Sequence, residues 1–279
     1  MTLSLETASI DKEPTGETDT RRPARPRPVL WISAATIVAL VGLWGLVSFY
    51  ALVPPLFLPS PLSVLRALSG LATTGFVDAT LAQHVAASLS RIFGALAAAL
   101  ILGVPAGLAI GTSRWGKGIL DPIVEFLRPL PPLAYLPLVI IWLGIGEASK
   151  IAVIALAMLP PIILSTASGV KSASADHINA ARAFGASRWQ LLLHVTLPGA
   201  LPSILTGTRI ALGAGWSTLV AAELVAATRG LGFMIQSAAQ FLVTDIVIAG
   251  IVVIALVAFL FEVIARWIER RIVPWSNRR

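Results

Sequence analysis

The chain of 279 residues contains no cysteine, which excludes disulfides, thiolate chemistry and cysteine-ligated metals. Histidine is almost as scarce: His84, His177 and His194 stand apart, with no metal-ligand spacing among them. There is no Ser-His-Asp set, no constellation of paired carboxylates, and no G-x-x-x-x-G-K-[ST] run of the kind that cradles nucleotide phosphates. Neither catalysis nor a cofactor or metal of its own is expected of this chain. Charge is scarce as well, at 13% of residues against about a quarter in soluble domains. Apolar residues fill the gap, at 56%, with a mean hydropathy of +0.84. The expectation is an all-α, polytopic integral membrane protein. Its net charge of +7 is read as Lys and Arg facing anionic lipid on the cytoplasmic side, rather than as a nucleic-acid surface.

Residues 1–28 are polar and end in Arg21, Arg22, Arg25 and Arg27 between prolines, a composition that cannot bury a core and predicts a disordered tail. Spanning a hydrocarbon layer of about 30 Å takes about 20 apolar residues in a helix. Six segments qualify, at about 29–53, 85–110, 123–143, 151–170, 201–222 and 246–268. The basic residues orient them. With the N-terminus inside, Lys12, Arg21 to Arg27, Arg114, Lys117, Lys171, Arg182, Arg188 and the C-terminal arginines all fall inside. Arg66, Lys150 and Arg229 fall outside.

The connection 174–198 then lies in the cytoplasm. Asp176 or Ser174 is a plausible N-cap, Gly185 a plausible left-handed C′ residue, and Ser187 with Gln190 a capping box. Two short helices are expected, the second ending at Pro198, folded into a docking device. On the other side, 54–83 holds a short apolar-periodic run to Leu71, expected as an interfacial helix. The stretch 228–245 has helical apolar spacing from Phe233 to Leu242. It reads either as an amphipathic helix at the interface, or as a cap over the pathway or a seat for an extracytoplasmic binding protein.

Several stretches bear on transport. Gly103, Gly107 and Gly111 make two overlapping GxxxG steps on one face of the second span, read chiefly as helix packing, with a hinge at Pro105 secondary. Pro129, Pro131, Pro132 and Pro137 cannot sit together in a regular helix. Broken backbone at membrane depth is tolerated where it lines a watery cavity, which places Pro131, Pro132, Tyr135 and Pro137 along a translocation path. The alternative is a proline-rich connection outside the bilayer. In the fifth segment Arg209 can snorkel to the inner boundary. Glu223, with Trp216, Ser217 and Thr218 before it, is expected either to face the path or to pair with Arg229 at the surface.

The 174–198 stretch also resembles a family. Bacterial importer permeases of the ATP-binding-cassette class carry a loop EAA-x3-G-x9-I-x-LP, and this chain has Asn179-Ala180-Ala181, Gly185, Val195, Leu197 and Pro198 at those spacings. It departs from the pattern in Asn for Glu and Val for Ile. The runs GILDPIVEFLRPLPPLAYLPL and GWSTLVAAELVAATRGLGFM resemble the group importing taurine, sulfonates and nitrate, with taurine the nearest fit. The resemblance runs from about Val53 to the C-terminus. It implies a type I importer permease fold over 29–279, in a bacterial inner membrane, with both termini cytoplasmic. It also implies a second permease copy, two cytoplasmic ATPase subunits that bind MgATP, and a periplasmic binding protein. Asn179, Ala180, Ala181, Gly185, Leu197 and Pro198, in a coupling loop over 171–200, would receive the ATPase. The rivals are an ion-coupled secondary transporter, which would favour inverted repeats absent here, and a membrane enzyme.

Overall fold

A computed structural model describes residues 27–172 and 175–274; the expected tail through residue 26, Ser174 and the terminal Arg278 and Arg279 lie outside the described residues. One unit ends at Leu46 and a second begins at Val47. Helix α1, Arg27–Phe49, supplies the described part of the first and carries a 19-residue apolar stretch, Trp31–Phe49.

The second unit is helical throughout its described elements: α2 Pro61–Thr73, α3 Leu81–Thr112, α4 Arg114–Leu127, α5 Pro132–Leu143, α6 Glu147–Lys171, α7 Ala175–Ala183, α8 Arg188–Leu191, α9 Leu197–Ala226, α10 Leu231–Gln240 and α11 Thr244–Ile272. Five helical runs, α1 included, are long and apolar enough to cross a membrane. The segment expected to span at 123–143 is broken into two helices, α4 and α5, bent by 107° to one another; counted as one span, they make a sixth. The prolines are the cause. The helix ends at Arg128, Pro131 stands in extended backbone as the N-cap of α5, and Pro132 occupies its first turn, where a missing N–H costs nothing. Pro137 lies inside α5, so only three of the four prolines interrupt the helix.

Helix α3 starts earlier than its apolar run because Thr80 and Gln83 form a capping box. Helix α6 runs between α3 and α9, and its buried Ile154, Met158 and Ile162 join Ile92, Ala95 and Ala99 of α3 and Ala211 and Leu219 of α9 in the main core. The α3–α6 contact is close because of the predicted glycine row. A methyl group at Gly103 would meet Ile162, at Gly107 Thr166 and the Ile163 carbonyl, and at Gly111 Val170. Both rows repeat every four residues, so the two helices mesh along one face each. The packing reading of the GxxxG steps is what the structure displays. The connections 54–83 and 228–245 each form a helix, as expected. α2 lies against α11, with Val64 and Leu71 buried. α10 begins two residues before the predicted Phe233 and buries Leu231, Met234 and Ala238 against the bundle.

Replacing Gly107 by Leu forces a side chain into the α6 backbone, and overpacking of this kind costs about 1–3 kcal/mol or more. The expected outcome is a lower melting temperature for the purified permease with Gly107→Leu, and no loss with Gly118→Leu, where a side chain meets open space. Equal melting temperatures would remove the close contact from the account.

Candidate functional site

The loop expected to dock a partner is built from local signals. Helix α7 ends at a left-handed Gly185, φ +81°, whose N–H donates to the Arg182 carbonyl at 2.9 Å, while the Ala186 N–H reaches Ala181 at 3.1 Å. Asp176 sits inside the first turn of α7 and not at its N-cap, since the helix already begins at Ala175. There its carboxylate still opposes the positive end of the helix. Ser187 and Gln190 form the expected capping box: the Gln190 N–H donates to the Ser187 hydroxyl, and the Ser187 N–H to the Gln190 side chain at 2.8 Å.

The second helix does not end at Pro198. A π-helical turn, Leu192–Thr196, follows α8 and leads straight into α9, giving one helical run, Arg188–Val225. The Leu197 N–H donates five residues back, to Leu192. This wider turn makes room where the ring of Pro198 would otherwise press on the preceding turn, and the ring sits at the second position of α9. Asn179, Ala180, Gly185 and Pro198 are exposed, Ala181 and Leu197 half-buried. Phe184 is 92% exposed and Trp189 71%, two large apolar side chains with no cover in the chain. Behind them a cleft of about 610 Å³ opens between the loop and the ends of α3 and α6, lined by Ile178, Arg182, Arg188, Gly111 and Val170.

The residues expected along a path separate into two groups. Pro132, Tyr135 and Thr218 line one cleft of about 530 Å³, together with Arg128, Pro160, Ser165 and Ser217. Pro131 and Pro137 flank this wall without lining the cleft, both exposed. Trp216 points the other way. It is buried in the main core with its ring centroid 5.8 Å from that of Phe261, because positions 216 and 217 lie on different faces of α9.

Glu223 requires a correction. It is fully buried, and its partner is neither the path nor Arg229 but Arg91 of α3, whose Nη1 donates to Oε1 at 2.6 Å. The Ser88 hydroxyl donates to the same oxygen at 2.7 Å, and the Gly232 N–H to Oε2 at 2.7 Å. Arg229 contributes only its carbonyl, which accepts from Arg91 at 2.7 Å. Arg91 is also held in a fork by Glu147, at 2.6 and 2.9 Å, and Glu147 accepts in turn from Lys150 at 2.8 Å. His84 completes the set. The Gly230 N–H donates to its Nδ1 at 3.1 Å, so Nε2 carries the proton and donates to the Phe76 carbonyl at 3.0 Å. Gly230 itself has φ +138° and packs on the Glu223 carboxylate. The network thus fastens the turn before α10 to α3, α6 and α9. Arg209 is corrected as well: it does not reach for the boundary alone but bridges Glu262 at 2.5 Å and Glu269 at 2.9 Å on α11.

Arg91 escaped the sequence reading although the signal was there, a lone arginine inside a 32-residue apolar helix. Sequence spacing could not say which acid it meets, since Glu147 and Glu223 lie 56 and 132 residues away. Among the described residues, no cluster of His, Cys, Asp and Glu could hold a metal ion.

Removing one member of a buried pair strands the other, a loss of about 3–5 kcal/mol, whereas replacing both is often near neutral. Arg91→Met and Glu223→Met are each expected to lower the melting temperature strongly, and the double variant to recover part of the loss. A double variant no better than the sum of the singles would show that the two do not act as a pair.

Comparison with known proteins accords with this architecture. Residues 99–274 match the family model described as binding-protein-dependent transport system inner membrane component. The taurine transport system permease protein of Escherichia coli strain K12 is 58% identical over 247 residues, 88% of this chain and 90% of the relative. A putative aliphatic sulfonates transport permease of the same strain is 40% identical over 86% of this chain and 89% of its own length. The nitrate import permease of Synechocystis strain PCC 6803 is 34% identical over 79% and 82%. Among solved structures, the MetNI methionine ABC transporter in an inward facing conformation superposes with a TM-score of 0.62 at 21% identity. That match covers 69% of this chain and 95% of the other, and shows the shared fold. A permease fold of this kind, matched over most of its length, is a membrane component and not a catalyst, and the chain belongs to the binding-protein-dependent transport system inner membrane components, the permeases of ATP-binding-cassette importers.

Proposed function

We propose that this chain carries taurine or a closely related small sulfonate across a bacterial inner membrane, as one of two identical permeases. The observation that carries the reading is the 58% identity to the E. coli taurine permease, against 40% for the aliphatic sulfonate relative and 34% for the nitrate one. Both termini lie in the cytoplasm, as the distribution of Lys and Arg favours. Two ATPase subunits, which bind MgATP, dock on the α7 turns of the two copies. A periplasmic protein delivers the solute on the opposite face.

Mechanically, α7 offers small residues for close approach, Asn179, Ala180 and Ala181, beside the bare rings of Phe184 and Trp189. The sharp turn at Gly185 joins this platform to the helical run Arg188–Val225. At about 1.5 Å per residue that run is a rod of roughly 50–60 Å. A push on α7 passes through the Gly185 turn to Arg188 and from there reaches Ser217 and Thr218 on the cleft along one helical run. Pro132 and Tyr135 form the facing wall of the translocation path, with Pro131 and Pro137 shaping the helix that carries them. Trp216 and Glu223 support the path from behind.

Reconstituted with its ATPase and binding protein, the permease is expected to accumulate taurine in an ATP-dependent way, faster than long-chain alkanesulfonates or nitrate. Uptake that persists without ATP under an ion gradient would replace this reading with a secondary transporter. Gly185→Trp, which places a β-carbon in left-handed backbone and a ring on the docking face, is expected to abolish co-purification of the ATPase while the permease itself still folds. ATPase retention at wild-type level would move the docking site elsewhere.

A further inference from the structure

We infer that Arg128 is the cation that receives the oxyanion group of the solute halfway across the membrane; the inference rests on the importer reading above and deepens it. Its position comes from packing. Val124 of α4 sits with Ile163 and Ala167 in the C-terminal half of α6, while Leu136 and Val139 of α5 sit with Val153 in the N-terminal half. Arg128, the C-cap of α4, stands between them at the break. The cleft it lines takes Leu156, Pro160 and Ser165 from the middle of α6, and Ala214 and Ser217 from α9.

Its charge is left open. Arg91, Lys150, Arg209, Glu223, Glu262 and Arg266 are all in ion pairs. Among the described residues Arg128 is in none, and Glu125, one turn earlier, does not pair with it. An exposed arginine at this depth is too costly against hydrocarbon, so it faces either a water-filled route or the second permease copy. Irregular backbone at the same level marks the route.

The solutes named for the relatives, taurine, aliphatic sulfonates and nitrate, share one chemical feature: a single negative charge spread over three oxygens on one atom. A guanidinium fork is matched to that group, because it presents parallel N–H donors to two of the oxygens. Tyr135, Ser165 and Ser217 add hydroxyls around it, while Leu156, Ala157 and Leu164 suit a short carbon chain. One unpaired cation gives a passing contact and not a trap, as a conduction site requires.

The test uses the complete importer in proteoliposomes, with radiolabelled taurine and uptake expressed per assembled complex. Arg128→Gln is expected to lower uptake at least about tenfold, with binding-protein-stimulated ATP hydrolysis within about twofold of wild type; Arg128→Lys should fall between. Uptake per complex within twofold of wild type overturns the inference. So does a parallel fall in ATP hydrolysis, which would assign Arg128 to the conformational cycle. A loss confined to the amount of assembled complex would assign it to the contact between copies. A wild type that accumulates neither taurine, an alkanesulfonate nor nitrate fails the functional reading itself, before any variant is compared.

Discussion

A charge inside a membrane protein has to find its opposite within the protein, and the Arg91–Glu223 contact is where this chain meets that constraint most completely. Both side chains are buried, 2.6 Å apart, and every remaining polar atom around them is engaged. Without the hydroxyl of Ser88, the N–H of Gly232 and the carbonyl of Arg229, the same pair would cost more in lost hydration than it returns. The turn 227–230 and helix α10 owe their position to this arrangement, because their backbone groups are the ones that complete it. Arg209 with Glu262 and Glu269 repeats the principle between α9 and α11, nearer the N-terminus of α9.

Between these two clasps the bundle is held by shape. Lipid tails are as apolar as leucine, so helices gain little from being merely hydrophobic and instead gain from approaching closely. The glycine row of α3 against Ile162, Thr166 and Val170 provides that approach on one side of α6. Gly169 and Gly207 do so on the other, against Ser203 and Ser165. With α6 fixed between α3 and α9, the broken pair α4 and α5 is laid along its flank, and the cleft forms where the break leaves a gap. Residues 128–131 at the break are exposed in the chain, and irregular backbone at membrane depth survives only where it is buried in protein or lines a watery cavity.

The helical continuity from Arg188 to Val225 ties the turn after α7 to the cleft beside Ser217 and Thr218. The π turn before Pro198 keeps a proline from becoming a hinge, so Arg188, just after the Gly185 turn, and the hydroxyls of Ser217 and Thr218 beside the cleft belong to one helical run. An importer needs such a part, because the energy of nucleotide hydrolysis is released outside the membrane and the solute barrier lies within it.

Local chemistry wrote much of this into the residues directly. The apolar runs, the Gly185 turn and the Ser187–Gln190 box are decided by length, φ and neighbouring side chains, so they could be read in order along the chain. The glycine row was legible for the same reason, since one helix face suffices to recognise it. Three matters were settled only by the fold. By hydropathy alone the 123–143 segment read as one straight helix, since that measure counts residues and not direction, whereas three prolines break it into two helices bent by 107°. Pro198 looked like an end because the π turn that accommodates it is a property of the continuing helix. Glu223 looked like a pathway residue because its real partner, Arg91, lies 132 positions away. Periodicity can assign a side chain to a face, but only the packing of α3 against α9 decides which charge that face meets.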